Sequence, residues 1–284
     1  MNFYCITKNV RNTSYIAFSE ICKEKGINFI GLNPFKTNVL SLNIQKGDLV
    51  YRIADNKAAN LLEKYILDKG AVGFYKDSSK INLLQDGFLA FFENQKLPSP
   101  KTIVPITASR KILREYVEYL GGFPVILKVL GGSLGRGVIK IESFDSLFSV
   151  AGYLKEQFPN KEIALKEFIE HKEQLRLVVL GKRVLFGYAR FKSKEDFRTN
   201  FGGCEKDFCD PSNEIKKIAV QAVDNMNLEF GGVDILIEEK TGKPFLAEVN
   251  FPSALKVSSM MAKEKGIDIE REMIEFLIKK AKNI

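Results

Sequence analysis

Short apolar runs alternate along this chain with longer stretches whose apolar residues recur at helical spacing. The runs predict strands and the longer stretches predict amphipathic helices. Over the first 75 residues the two types alternate, and a glycine follows each helical stretch. This order is typical of a small, mostly parallel α/β sheet. Strands are predicted at 3–7, 27–31 and 48–53, and helices at 14–25 and 56–69.

The pattern from residue 78 onward predicts a more mixed set of elements. A helix is predicted at 78–94, capped by Ser78 or Ser79. The proline-containing stretch 97–100 predicts a subdomain boundary. Residues 192–211 are polar and irregular, which is typical of a lid or binding loop. Further strands are predicted at 102–105, 125–130, 138–141, 163–169, 175–180, 184–191, 231–237 and 244–250, and further helices at 109–119, 144–157, 213–226 and 268–282.

Two predicted strands near the carboxyl end carry acids within apolar sequence. Asp234 lies in the first strand, and Glu248 and Asn250 lie two residues apart on the second. Side chains at i and i+2 of a strand share a face, so three oxygen ligands are expected on a common face. Hard cations such as Mg²⁺ prefer such ligands. The alternative is an acid paired with an arginine. We favour the metal, because Asn250 adds a third ligand.

A glycine-rich stretch at 131–137 contains four glycines between two apolar strands, with Lys128 near the end of the first strand. Glycines let backbone N–H groups approach phosphate oxygens, and the lysine adds a positive charge. The stretch is neither a Walker A motif nor a Rossmann fingerprint, because no helix follows it. It predicts a flexible loop over a nucleotide. The alternative is an ordinary mobile turn.

Charged residues within apolar strands supply two further candidate binding elements, one for adenine and one for an anionic group. The strand predicted at 163–169 can present backbone groups of residues 165–169 to the edge of an adenine. The alternative is an ordinary edge strand of a sheet. Arg176 and Arg190 lie within apolar strands, where an unpaired guanidinium would be costly. Their partner is a carboxylate of the protein or of a ligand. The lone histidine, His171, lies in a polar stretch and is interpreted as a surface residue.

Composition narrows the class of protein. The chain of 284 residues is 45% hydrophobic and 27% charged, as in ordinary globular proteins, and no apolar run is long enough to span a membrane. A cytoplasmic location is therefore expected. The net charge is +8, but basic residues are scattered, which favours an anionic substrate over nucleic acid. Four cysteines without a paired motif predict neither disulfides nor structural zinc.

In this order and spacing, these motifs resemble the ATP-grasp superfamily, most closely the RimK-like branch of carboxylate–amine ligases. The resemblance runs from about residue 78 to the end of the chain. It implies an α/β ATP-grasp fold with a small parallel α/β domain at 1–77. Two α+β subdomains that clasp ATP would follow, one with the glycine-rich loop at 78–168 and one with the Mg²⁺ site at 169–284. The segments that carry the resemblance are 79–81, 124–137, 166–169, 175–179, 196–200, 232–236 and 248–250.

The resemblance also implies a role for each matching position. Phosphates would be held by Lys80 and Lys128, under a loop that includes Gly132, Ser133, Gly135 and Gly137. The adenine would be lined by Glu167, Phe168 and Ile169, and the ribose held by Glu173 or Gln174. Mg²⁺ would be bound by Asp234, Glu248 and Asn250. The acyl phosphate or substrate carboxylate would be bound by Arg190, Arg198 and Asn200, and Arg176 would contact the nucleotide or this same group.

The implied reaction joins a carboxylate to an amine through an acyl phosphate, with ATP and two Mg²⁺ ions, or Mn²⁺ in their place. Small-molecule or peptide substrates and a homo-oligomer, dimer or tetramer, are expected. One alternative is a ligase that modifies a ribosomal peptide or a protein tail. Another is a nucleotide-binding regulatory protein without ligase activity. The chain departs from the family pattern at 202–206 and 251–253, and this leaves the substrates open.

Overall fold

A computed structural model of the chain describes residues 1–81, 96–130, 137–193, 196–199 and 204–284. The strands are β1 Asn2–Ile6, β2 Asn28–Leu32, β3 Leu49–Arg52, β4 Thr102–Ile103, β5 Val125–Val129, β6 Val138–Ile141, β7 Ile163–Glu167, β8 His171–Leu180, β9 Arg183–Phe191, β10 Lys206–Phe208, β11 Phe230–Glu238 and β12 Pro244–Asn250. The α-helices are α1 Thr13–Glu24, α2 Lys57–Asp68, α3 Arg110–Tyr119, α4 Phe144–Gln157, α5 Asn213–Asn225, α6 Lys256–Glu264 and α7 Ile269–Ala281.

The amino-terminal sheet has the order β2-β1-β3, and all of its pairs are parallel. This confirms the sheet predicted from the alternation of strands and helices. Asn12 and Asn56 accept hydrogen bonds from the first turns of α1 and α2, which satisfies amides that have no partner within the helix. Arg52, the last residue of β3, is fully buried.

The central sheet has the order β4-β7-β5-β6, with antiparallel pairs throughout. One face packs against α3 and α4 through apolar residues such as Leu113, Leu127 and Leu147. The other face carries Ile126, Lys128 and Lys166, because side chains alternate along a strand. β7 lies between β4 and β5, so the alternative of an edge strand is wrong.

The carboxyl-terminal sheet has the order β10-β9-β8-β11-β12 and is also antiparallel. One strand of this sheet and one helix near it were not predicted from the sequence. β10 is a three-residue strand within the predicted loop 192–211, and α6 is a helix that was not predicted. β10 pairs with β9, from which a loop separates it in the sequence. A local pattern of residues does not predict such a pairing.

Hydrophobic packing joins the two ends of the chain. One core cluster contains residues of β1 and α2 together with residues of β11 and α7, including Phe3, Ile66, Val233 and Leu277. A second cluster belongs to the central sheet and its helices. The boundaries expected at 77 and 168 stay predictions.

The helix predicted at 78–94 lies mostly outside the described residues. Its start differs from the expectation: Ser78–Lys80 is a short 3₁₀ turn, and the capping side chain is Asp77, which accepts from the Ser79 amide. None of the helices in the described ranges is long and apolar enough to cross a membrane.

Candidate active site

An open cleft of about 130 Å³ lies between the central and carboxyl-terminal sheets. Strands of both sheets supply its walls, and Phe168 and Ile169 line it from the connection between β7 and β8, called the hinge below together with Glu167. Several of the predicted residues meet here, together with some that were not predicted. The lining residues are Pro100, Ile126, Lys128, Val138, Lys166, Glu167, Phe168, Ile169, His171, Gln174, Phe197, Arg198, Thr199, Leu236, Ala247 and Glu248.

Two lysines and one carboxylate occupy the floor of this cleft. The Lys128 ammonium lies 3.3 Å from Glu248 Oε2. Lys166 is buried and donates to the Ala247 carbonyl oxygen at 3.4 Å. Burial, and next the neighbouring Lys128 charge, lower the pKa of Lys166 to about 7, while Glu248 opposes this shift. The floor therefore holds positive charge that one carboxylate only partly offsets.

Asp234 lies at the centre of a row of charges across the carboxyl-terminal sheet. The register places it opposite Glu248 on β12 and opposite Arg176 on β8, so these side chains share a face. Arg176 Nη1 donates to one Asp234 oxygen at 2.7 Å, and Arg190 Nη1 donates to the other at 3.4 Å. Asn250 Nδ2 lies 3.1 Å from Asp234 Oδ2. The common face expected for the three oxygen ligands is present, and the arginines have a protein carboxylate as partner.

The donor set of Asp234, Glu248 and Asn250 combines two carboxylates and a carboxamide, which suits a hard cation completed by phosphate oxygens. Glu248 retains 40% side-chain exposure, so its carboxylate is accessible from the cleft. Within the described ranges, no group of three or more His, Cys, Asp or Glu side chains is placed to hold a metal. The assignment of these residues as ligands therefore stays a prediction.

Gly232, on β11, makes room for Arg176. A Cβ at position 232 would lie 2.3 Å from Ser253 Oγ and 2.7 Å from Arg176 Cζ, and Arg176 Nη2 donates to that Ser253 oxygen at 3.1 Å. We expect Gly232→Ala to destabilise the fold by about 1–3 kcal/mol and to lower the ATP-dependent activity that the resemblance implies, because Arg176 loses its place beside Asp234. Urea unfolding and ADP release measure the two effects.

The matched control for that substitution is Gly152→Ala. Gly152 is in α4, and a Cβ there would meet no atom within 4 Å. Alanine also favours helix over glycine by about 1 kcal/mol, so this variant should keep or gain stability. A Gly232→Ala protein as stable and active as the control would show that Arg176 can move without consequence.

The ribose candidate on the cleft side is Gln174. It is buried, lines the cleft and accepts a hydrogen bond from the Thr199 hydroxyl. Glu173 points to the other face of β8, lies 3.7 Å from Lys172 and is not among the lining residues. Because neighbouring residues on a strand face opposite sides, the geometry favours Gln174, and the choice between Glu173 and Gln174 stays a prediction.

The hinge residues Glu167, Phe168 and Ile169 line the cleft as expected. The Phe168 ring meets the Phe197 ring edge-on at 6.4 Å. The interpretation of His171 as a surface residue is wrong. His171 begins β8, is buried, and places Nδ1 2.9 Å from the Ile169 carbonyl oxygen. Burial lowers its pKa, which favours the neutral ring.

The remaining predicted residues fall in four groups. Lys80 is exposed, is paired with Asp77 at 3.1 Å and is not among the residues that line the cleft. Arg198 lines the cleft, and its Nε and Nη2 donate to Asp196 at 2.9 and 2.7 Å, among other hydrogen bonds between the two residues. Gly137 has a φ of +81° just before β6, a conformation that favours glycine. The described ranges do not include Gly132, Ser133, Gly135 and Asn200.

Comparison with known proteins identifies the family. A model of the RimK-like ATP-grasp domain matches residues 87–277. A protein of Legionella pneumophila named "Probable alpha-L-glutamate ligase" is 31% identical over 222 residues, which cover 75% of this chain and 70% of that protein. A ribosomal protein bS6–L-glutamate ligase of Escherichia fergusonii is 30% identical over 167 residues, or 57% of this chain and 53% of that protein.

A solved structure agrees with these matches. ATP-grasp ligase PsnB, complexed with minimal precursor, Mg and ADP, superposes with a TM-score of 0.72 over 99% of this chain and 97% of PsnB, at 15% identity. This likeness shows the fold. The chain therefore belongs to the RimK-like ATP-grasp family of ADP-forming ligases that make carbon–nitrogen bonds.

Proposed function

We propose that this enzyme activates a carboxylate as an acyl phosphate and then transfers the acyl group to an amine. The observation that supports this most is that Lys128 meets Glu248 in the cleft, and that Glu248 lies opposite Asp234, which Asn250 and Arg190 contact. Cations and cation ligands at one point suit a transferring phosphoryl group.

In the first step a substrate carboxylate oxygen attacks the γ-phosphorus of ATP, the bond to the bridging oxygen breaks, and ADP leaves. In the second step the amine nitrogen attacks the acyl carbon, the carbon–oxygen bond to phosphate breaks, and phosphate leaves with loss of a proton from nitrogen. Neither step requires a protein nucleophile. The protein supplies orientation and fixed positive charge where negative charge develops.

The residues divide this work between them. We propose that Glu248, Asp234 and Asn250 hold Mg²⁺, which when bound neutralises charge on the ATP phosphates. Lys128 donates to a phosphate oxygen from the opposite sheet. Both Asp234 oxygens already accept hydrogen bonds, whereas Glu248 remains exposed in the cleft, and we infer that the cation is held first by Glu248.

The two arginines have different settings. Arg190 donates to the Tyr188 hydroxyl at 2.9 Å, and its hydrogen bond to Asp234 is long, at 3.4 Å. Its guanidinium can therefore turn to a phosphoryl or carboxylate group. Arg176 is buried between Asp234 and Ser253. We propose that Arg190 contacts the acyl phosphate and that Arg176 orients Asp234.

We propose an amino acid or a peptide as the acceptor. The relatives above carry the names of glutamate ligases, and PsnB was solved with a peptide precursor. A screen of amino acids and peptides for stimulated ADP release tests this proposal, with hydroxylamine to trap an acyl phosphate and mass spectrometry of the product. ATP binding without stimulation by any pair would favour the regulatory alternative.

Lys128→Met should weaken ATP binding by about tenfold or more, because a charge-assisted hydrogen bond to a phosphate oxygen is lost. Isothermal titration calorimetry with ATP measures the change. The control is Lys161→Met, the same change of charge on an exposed loop of the same subdomain. Equal affinities in the two variants would remove Lys128 from the nucleotide site.

A further inference from the structure

Lys166 is a buried lysine in the cleft floor to which the proposed function gives no task. Only 8% of the residue is exposed. Its ammonium carries three donors, yet within the described ranges its hydrogen-bond partner is the Ala247 carbonyl oxygen alone, at a long 3.4 Å. A buried ammonium with one weak partner is costly to the free protein. A ligand group that supplies the missing partners would offset this cost.

The neighbours of Lys166 show which kind of ligand group is required. The register places Lys166 opposite Ile126, and Lys128 follows two residues later on the same face of β5. Glu248 is the carboxylate that acts on both ammonium groups. When Glu248 binds a cation, as proposed above, its negative charge is neutralised by that cation and no longer offsets the charges of the two lysines. The incoming ligand must then bring negative charge to this point.

We propose that Lys166 contacts the phosphate chain of the bound nucleotide directly, from β7, next to Lys128. This rests on the proposed function, because it places ATP in the cleft. An ammonium donates hydrogen bonds and accepts none, and its compact charge is best compensated by phosphate oxygens. The uncharged base at the hinge end of the cleft would leave the charge of Lys166 unbalanced.

The variant Lys166→Met distinguishes a phosphate contact from a structural role. Loss of a phosphate contact lowers nucleotide affinity, whereas loss of a structural role lowers the stability of the free protein. Methionine is of similar length and needs no hydrogen bond, so the free protein should unfold at the same or a higher temperature than the wild type. Affinity for ATP and ADP should fall at least tenfold, as expected for loss of one charge-assisted hydrogen bond. Affinity for adenosine should stay within twofold of the wild type.

The experiment measures these three affinities by displacement of a fluorescent ATP analogue, and thermal unfolding without nucleotide, for the wild type, Lys166→Met and the control Lys161→Met. ATP affinity in Lys166→Met equal to that of the control would overturn the inference. So would an equal loss for adenosine, which would place the contact on the base, or a clear loss of stability in the free protein. A wild-type protein that binds no ATP would instead overturn the proposed function, and the inference with it.

Discussion

Glu248→Gln should lower the rate of Mg²⁺-dependent ADP formation by on the order of 10²–10³-fold, while the protein remains folded. Glutamine keeps the size of the side chain but removes the charge that binds a hard cation and that pairs with Lys128 at 3.3 Å. Loss of one group that stabilises charge in a transition state typically costs this much. The side chain is 40% exposed, so little packing is lost, and circular dichroism and thermal unfolding should match the wild type.

The matched control is Glu264→Gln, the same change on an exposed residue of α6. The rate is measured over a range of Mg²⁺ concentrations, because weaker metal binding appears as a higher Mg²⁺ requirement. A Glu248→Gln enzyme with wild-type turnover at all Mg²⁺ concentrations would exclude Glu248 as a metal ligand. The site would then have to be sought outside β11 and β12.

Arg52→Met should lower the free energy of unfolding by about 3–5 kcal/mol, since it leaves a buried carboxylate without its cation. Arg52 and Glu63 are both almost fully buried, and Arg52 Nε donates to Glu63 Oε2 at 2.8 Å. The Tyr75 hydroxyl donates to the same oxygen at 2.9 Å, and Arg52 Nη2 donates to the Phe251 carbonyl oxygen at 3.1 Å. Urea unfolding measures the change.

Two further variants test the cause of that loss. The double variant Arg52→Met/Glu63→Leu removes both charges and should recover most of the stability, because apolar replacement of a whole buried ion pair is often close to neutral. Arg271→Met breaks an exposed ion pair with Glu24 and should leave the urea midpoint close to that of the wild type, because exposed ion pairs contribute little to stability. A double variant as unstable as Arg52→Met would mean that packing around Phe251, not the unpaired charge, dominates.

Local pattern was sufficient for the main elements and for the acids of the site. Alternation of strands and helices predicted the parallel sheet, and the i, i+2 spacing placed Glu248 and Asn250 on one face. Asp234 joins them because β11 and β12 are neighbours along the chain and pair as a hairpin. The ATP-grasp fold followed from the order of these motifs, and the family match confirms it.

The residues that were missed depend on packing between distant segments. Lys166 and His171 each lie in a strand whose buried side is defined by the opposite sheet, and local alternation gives only the relative facing of neighbours. Glu173 was retained beside Gln174 for the same reason. The three-residue β10 is too short for a periodic signal, and its pairing with β9 is an interaction between separate segments.

The core shared by the two ends of the chain has a consequence during synthesis on the ribosome. Phe74 stacks on Phe276 at 6.1 Å, and Ser14 donates to Glu270 at 2.8 Å, so the first sheet is covered by α7, which is made long after it. Domains generally fold as they emerge, but this sheet must keep part of its apolar surface exposed until α7 has been made. The central sheet has its own core and can fold earlier, so a nascent chain that stalls before α7 should depend most on chaperones for its first 75 residues.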